Sequence, residues 1–481
     1  MINFFRRTPS PVIRERAAHS ISRTNIDPDA LKVLYRLANT GHTAFLVGGS
    51  VRDLLLGRQP KDFDIGTDAR PNDIRRLFRN CFLIGRRFRL AHIVFGRKVI
   101  ETSTFRRQPE ACDSDNGIYQ TEDNTFGTPE EDAKRRDFTV NGLFYDIKTF
   151  SVIDYVGGLK DLEKRVLRCI GDPNIRFRED PVRMMRAVKF AARLGFEIDR
   201  ASRKAILKHH ADILNASVPR VCEEIFRLFT YSSSCQAFKL LWQFGLLEDL
   251  LPEVSAFVNA TGQEKSPLWT YLAALDADPQ NAELSNGVRA AVLYYPLFLA
   301  RLRSEEAQAP HGRVNKQHVA RLVLHDMAQR LHIPKATFFT AVALMDVQRR
   351  FSESPKRSRG HRFLYHSAFP EALAFQRILV AAEGSDATLI QEWQALYEQE
   401  VAQREAQARQ ADEDEAAPGE EVNEPRDAEG EEPQRKRRRR RRRKPRPDGS
   451  GAPGTDAPTG PGAAITVSEI AAESDRTDGC E

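Results

Sequence analysis

Residues 44–67 constrain this chain more than any other stretch. An apolar run from Ala44 to Val47 meets the pair Gly48-Gly49, then Ser50-Val51-Arg52-Asp53, then Lys61-Asp62-Phe63-Asp64-Ile65. The pattern predicts a strand over residues 44–47, a helix over 51–56 and a second strand over 63–67. In an extended strand residues i and i+2 share a face, so Asp62 and Asp64 can present both carboxylates to one point. Two hard anionic donors so placed suit Mg²⁺, which proteins hold through one or two carboxylates together with substrate phosphates. Gly48 and Gly49 allow backbone to approach a triphosphate, and Ser50 is expected to cap the helix whose positive end faces it. The combination reads as nucleotidyl transfer. Alone, an acidic pair on a strand is more often the polar side of a solvated sheet.

Around this unit the signals are those of a small mixed sheet. Asp27 reads as an N-cap with Pro28 at the first helical position, and Ala30, Leu31, Val33, Leu34 and Leu37 recur at helical spacing until Gly41. Another helix is expected after Pro71. Residues 92–96 and 99–105 read as a hairpin turned at Gly96-Arg97-Lys98. Residues 1–25 read as a polar arm and residues 107–135 as a mobile loop. From Arg178 onward helical periodicity takes over, with helices expected over residues 182–194, 203–213, 221–229 and 235–244 and further ones to about Arg404. The fold class expected is α+β, with the head at 26–165, helical segments at 166–260 and 261–404, and a disordered extension at 405–481.

Charge is divided unevenly. Residues 401–481 hold 15 Lys and Arg against 19 Asp and Glu, leaving 58 against 48 in residues 1–400, so the part able to fold is the basic part. That suits a partner that is a polyanion. Within the extension, residues 411–432 are acidic, and ten consecutive basic residues open at Arg435 and close at Lys444. The basic block is a candidate RNA contact, since each neutralised phosphate releases counterions; pairing with the acidic block, or simple solubilisation, is the competing reading. The six cysteines show no zinc-like spacing and are too sparse for a disulfide framework, which fits a reducing compartment. With no signal-peptide core near Met1 and no apolar run approaching the ~20 residues of a membrane helix, the expectation is a soluble, cytoplasmic protein.

Three further constellations can carry chemistry. Glu101 alternates with Ile100 and Thr102 on the hairpin's second strand and can offer a third carboxylate, as base or extra ligand, beside Asp62 and Asp64; its alternative is an exposed strand residue. Arg135 and Arg136 precede a helix expected to be capped by Asp137, which shares a face with Asn141. These arginines can meet a triphosphate or ribose hydroxyls, or simply face solvent. Glu179-Asp180-Pro181-Val182-Arg183 opens a helix with Asp180 as expected cap, and Arg186 and Arg193 extend its positive stripe. An aspartate acceptor beside an arginine donor can read adenine or cytosine, each of which offers an amino donor next to a ring-nitrogen acceptor. The pair does not separate the two bases.

Together these motifs resemble class II nucleotidyltransferases, the family of tRNA CCA-adding enzymes and bacterial poly(A) polymerases. Gly48-Gly49-Ser50-Val51-Arg52-Asp53, Asp62-Phe63-Asp64, Arg135-Arg136-Asp137-Phe138-Thr139-Val140-Asn141, Asp154-Tyr155-Val156-Gly157-Gly158 and Glu179-Asp180-Pro181-Val182-Arg183 follow the family's order, over about residues 19–260. The resemblance implies a polymerase-β-like head joined to helical neck, body and tail domains. It implies Asp62 and Asp64 as ligands of a two-metal Mg²⁺ site, for which Mn²⁺ is a possible substitute, with Glu101 beside them. It further implies ATP contacts by Gly48, Gly49, Ser50, Arg52, Asp53, Arg135, Arg136, Asp137, Asp180, Arg183 and Arg186, of which Asp180 and Arg183 face the base. Residues 83–93, His19-Ser20-Ile21-Ser22-Arg23 and residues 357–375 resemble the poly(A) polymerase branch. The activity so implied is template-independent transfer of AMP from ATP to RNA 3′ ends with release of pyrophosphate, in RNA processing and decay. CCA addition to tRNA is the nearest alternative, and a non-catalytic RNA-binding protein the alternative of another class. Gly142 departs from the small alanine or serine usual at its position, a change of ~1 kcal/mol inside a helix. Selection of adenine would require a pocket held at one size, and residues 85–92 are the candidate stiffening element.

Overall fold

The computed structural model of the protein describes residues 10–85, 90–107, 125–308, 314–352, 354–355 and 363–416. Eight strands form one sheet in the order β1-β8-β7-β2-β3-β6-β5-β4. They are β1 (Val12–Arg14), β2 (Ala44–Val47), β3 (Asp64–Thr67), β4 (Cys81–Ile84), β5 (Leu90–Phe95), β6 (Lys98–Thr104), β7 (Leu143–Asp146) and β8 (Ser151–Asp154). All neighbouring pairs are antiparallel except β3 and β6, which run parallel.

Helix α1 (Pro28–Asn39) starts where the sequence places it: the Asp27 carboxylate accepts from the Asp29 and Ala30 amides and Pro28 occupies the first turn. Its buried stripe of Ala30, Val33, Leu34 and Leu37 joins Ile74 of α3 (Pro71–Leu77) against one face of the sheet, with Leu46, Ile65, Ala91, Ile93 and Ile100 beneath. On the other face Phe45, Val47, Phe105 and Phe144 form a second, smaller core with Ala133. Ala133 belongs to α4 (Pro129–Arg135), which opens with a capping box between Thr128 and Glu131. This corrects the loop expected over residues 107–135: its last quarter is helical, its buried side is confined to Asp132 and Ala133, and so it carries no apolar period. Residues 108–124 lie outside the described residues.

Residues 10–25 are not an idle arm. Strand β1 pairs with β8 at the sheet edge, and Ile21 is buried in the main core. After α5 (Gly158–Glu163) the chain turns helical through α6 (Pro173–Glu179), α7 (Val182–Leu194), α8 (Arg200–His209), α9 (Val218–Arg227), α10 (Ser234–Gln243), α11 (Leu246–Leu250), α12 (Pro252–Ala260), α13 (Leu268–Ala277), α14 (Asn286–Gln308), α15 (Lys316–Arg330), α16 (Lys335–Val347), α17 (Phe369–Glu383) and α18 (Thr388–Ala416). Among these α7 matches its expected bounds and stops at Gly195 in the left-handed region. The last helix continues to Ala416, beyond the expected end of order at residue 404. The basic block from Arg435 to Lys444 lies outside the described residues. No helix among those described is long and apolar enough to cross a membrane.

Candidate active site

A cleft of about 400 Å³ is lined by residues of α2 (Gly49–Leu55), the start of β3, the end of α4, and helices α7 and α9. On its sheet side lie Asp62 and Asp64, both exposed, with Phe63 buried between them, so the two carboxylates do share a face. Strand β3 itself begins at Asp64. The parallel ladder pairs Ile65 with Thr102, which sets Asp64 beside Glu101 on β6. Asp64 opens onto the cleft yet is walled by protein on its other sides. That burial, with the charges of Glu101 and Asp62 and against the pull of Arg136, pushes its carboxyl up to about 6. Crowded negative charge of this kind is relieved by a cation. Among the described residues no three His, Cys, Asp or Glu side chains form a closed metal cage. Two carboxylates with substrate oxygens completing the shell fit Mg²⁺ better than a protein cage would.

The glycine turn sits opposite. Gly48, not Ser50, is the N-cap of α2, at φ 70° and ψ −126°. Ser50 lies one residue inside the helix, and its buried hydroxyl donates back to the Val47 carbonyl at 3.0 Å. The Arg136 guanidinium packs on Gly48, so an added Cβ would stand 2.6 Å from Arg136 Nη1. Asp132, buried at 2% exposure, fixes both cations: Arg135 Nε donates to it at 2.9 Å and Arg136 Nη2 at 3.0 Å. Burial works against its charge, but the two guanidiniums prevail and hold the carboxyl below its usual value.

Several of the expected ATP contacts are committed to one another. The Asp53 carboxylate, itself buried, accepts from Arg52 Nε at 2.9 Å and from Arg193 Nη2 at 2.8 Å, and Arg52 Nη1 donates to Asn141 Oδ1 at 2.5 Å. Asp137 is not a helix cap, because the segment after it is a single 3₁₀ turn (Thr139–Asn141) with Phe138 at its N-cap. Its carboxylate accepts from Arg186 Nε at 2.8 Å, Arg186 Nη2 at 2.6 Å and Asn141 Nδ2 at 3.0 Å. Burial alone would raise that carboxyl, and these donors hold it down at about 2. Gly142 ends the turn rather than weakening a helix, and a Cβ there would lie 2.6 Å from the Val156 side chain. Asp154 accepts from the amides of Val156, Gly157, Gly158 and Leu159, which makes it the anchor of the turn into α5.

Asp180 also differs from expectation. It closes α6 as C-cap, and the N-cap of α7 is Pro181. Arg220 of α9, 40 residues away, grips both of its oxygens at 3.1 and 3.0 Å. Arg183 donates through Nη1 to the Arg176 carbonyl at 2.9 Å and to Glu179 Oε2 at 3.3 Å. Asp180 and Arg183 both face the cleft. Sequence reading missed Arg220, Phe190 and Tyr231 on the cleft wall; Arg193 lies 3.9 Å from the Tyr231 ring centroid. No local signal marks Arg220 and Tyr231, because each meets a partner distant in sequence, Asp180 and Arg193 respectively. Residues 86–89 of the expected stiffening stretch lie outside the described residues.

A mixed sheet carrying paired carboxylates, a glycine turn and a wall of guanidinium groups defines a nucleotidyltransferase. Family models match as a Poly A polymerase head domain over residues 44–168, a "Probable RNA and SrmB- binding site of polymerase A" over 195–258 and a Polymerase A arginine-rich C-terminus over 314–444. Poly(A) polymerase I of Escherichia coli O6:H1 is 39% identical over 383 residues, 76% of this chain and 80% of that protein. The Salmonella typhi Poly(A) polymerase I is 44% identical over 60% of this chain and 65% of its own length, and the CCA-adding enzyme of Bacillus velezensis 36% over 53% and 66%. A solved Bacillus stearothermophilus CCA-adding enzyme in complex with CTP shares the fold at TM-score 0.57 and 26% identity, covering 79% of this chain and 83% of that one. The chain belongs to the poly(A) polymerase family and is a polynucleotide adenylyltransferase; the CCA-adding enzymes are its relatives.

Proposed function

We propose that this cleft joins AMP from ATP to the 3′ hydroxyl of an RNA and releases pyrophosphate, with Asp62 and Asp64 as the ligands of divalent metal. The observation that carries the reading is the pair of exposed carboxylates facing a wall of arginines across one cleft. Bound metal would neutralise the triphosphate and activate the attacking hydroxyl. Arg135 and Arg136, oriented by Asp132, meet the phosphates, and Gly48 and Gly49 admit them close to backbone. Glu101, beside Asp64, is the acceptor for the hydroxyl proton or a further ligand. Asp180 and Arg183 face the base. Each Asp180 oxygen keeps a second lone-pair direction after the Arg220 contact, so it can still accept from an exocyclic amino group. Arg52, Asp53, Asp137 and Arg186 act through their mutual pairing, which joins α2 and the 3₁₀ turn to α7.

The experiment is the Mg²⁺ dependence of AMP incorporation across pH 5 to 8. A carboxyl raised to about 6 is protonated below that pH and gains its charge as pH rises through it. Apparent Mg²⁺ affinity is therefore expected to fall with acidification below about 6, by up to ~10-fold per pH unit, and to level off above it. An affinity that is flat through this window would contradict Asp64 as a ligand.

The tail block from Arg435 to Lys444 is proposed as a second RNA contact. Removing residues 417–481 is then expected to weaken RNA binding and flatten its salt dependence, with turnover at saturating RNA retained. An unchanged slope of log K against log salt would remove the tail from the interface.

A further inference from the structure

Among the described residues, the layer covering the face of the sheet that carries Asp64 stops at β6. Phe105 fills the space over Gly66, where an added Cβ would lie 2.6 Å from its ring, and Ala133 of α4 packs on Phe45, Val47 and Phe144. Across β6, β5 and β4 the described residues leave the same face partly open. Alternation assigns the sides: Cys81, Ala91, Ile93 and Ile100 point into the main core, while Phe82, Ile84 and Val99 are 61%, 50% and 43% exposed. The register pairs Phe82 with His92 and His92 with Glu101, and Glu101 stands beside Asp64. One row of side chains thus runs from Asp64 through Glu101 and His92 to Phe82 at the sheet edge. His92 Nε2 lies 3.5 Å from a Glu101 carboxylate oxygen. Glu101 is the sole acidic residue in the three strands.

We propose that this open half of the sheet is the surface along which single-stranded RNA reaches Asp62 and Asp64, with Phe82 stacking on a base within the last four nucleotides. The proposal rests on the reading of those aspartates as the reacting centre. An arginine wall occupies the other side of the carboxylates and suits the triphosphate, so the strand being extended must approach from another direction. The Asp64-to-Phe82 row spans three strand spacings, ~14 Å. At ~3.4 Å per stacked nucleotide that is about four bases. Exposed aromatic rings on an open sheet are the stacking platforms by which proteins hold unpaired RNA without reading its sequence. Such a platform suits an enzyme whose own product is a growing strand. Phe82 projects from an edge strand with its ring in water, so its replacement leaves the core intact.

The test is binding of a twelve-nucleotide oligo(A), without ATP, carrying 2-aminopurine in turn at each of the last six positions. In the full-length protein we expect quenching by stacking at one of positions two to four from the 3′ end, lost in Phe82→Ala. That variant should bind the oligonucleotide ~10-fold more weakly, ~1.4 kcal/mol. Its KM for RNA should rise while kcat at saturating RNA and KM for ATP stay near wild type, and Phe82→Trp should restore both affinity and quenching. Unchanged affinity and quenching in Phe82→Ala would overturn the proposal and leave the apolar face to a protein partner. A loss that Phe82→Trp fails to restore would overturn it too, by making Phe82 a local packing residue. Because affinity is read without turnover, it stands apart from the catalytic reading, which fails separately if Asp64→Ala keeps its rate.

Discussion

Replacement of Asp62 or of Asp64 by alanine is expected to abolish AMP incorporation, with a rate loss of at least ~10³-fold, in a protein that still folds. Both side chains are exposed to the cleft, so their removal leaves the buried alternation of Phe63, Ile65 and Thr67 in place. On the proposed reading, what is lost is charge that would fix a divalent cation against the triphosphate. Losing such a ligand removes several kcal/mol of transition-state stabilisation, and each ~1.4 kcal/mol is tenfold in rate. Single-turnover rates at saturating ATP and Mg²⁺, beside thermal melts of each variant, check this. A folded variant within tenfold of wild type would remove that residue from the reacting centre.

Gly48→Ala is expected to lower kcat/KM for ATP by ~10²-fold, a displacement effect rather than a loss of chemistry. Two independent constraints meet at this residue. Its φ of 70° and ψ of −126° lie where an L side chain is strained, and the added Cβ would sit 2.6 Å from Arg136 Nη1. Arg136 cannot simply swing away, because Asp132 holds it through Nε and Nη2 and it stacks 5.4 Å from the Phe144 ring centroid. Relief must therefore shift either the turn or the guanidinium, and misplacement of about 1 Å at a reacting centre costs on the order of 10²-fold. Steady-state kinetics on ATP test it, with a melt to separate the ~1 kcal/mol or more of backbone strain from unfolding. Values within twofold of wild type would show that the turn does not position the triphosphate.

The parts of the site legible in sequence are those made by neighbours along the chain. Asp62 and Asp64 alternate with buried Phe63 and Ile65 in the extended chain entering β3 and both line the cleft, and α1 begins at Pro28 because Asp27 caps it there. Two of the errors share a physical source. Asp137 and Asp180 are of a residue type that caps helices, and they stand before helical patterns, yet Asp137 takes Arg186 and Asp180 takes Arg220. A carboxylate offered a bidentate guanidinium in a half-buried cleft gains more than from a backbone amide in water, and only the tertiary fold brings that guanidinium near. Asp53 and Arg193, 140 residues apart, make the same point. Helix α4 escaped notice because the side it buries is Asp132 and Ala133, a salt-bridge hub rather than an apolar stripe. The 3₁₀ turn at Thr139–Asn141 is shorter than any period can reveal.

In the proposed reading the Asp180 and Arg183 pair would admit adenine and cytosine alike, so selection would rest on the size at which the cleft is held, and the Arg220 grip on both Asp180 oxygens would act as a restraint of that kind. The most direct measurement supplies each nucleotide in turn with an unstructured RNA and, separately, with tRNA lacking its CCA end. ATP alone is predicted to give long homopolymer tails on the unstructured RNA, with CTP incorporated at least ~10-fold less efficiently, ~1.4 kcal/mol. Products on the tRNA that stop after C, C and A, with no extension of the unstructured RNA, would contradict this account.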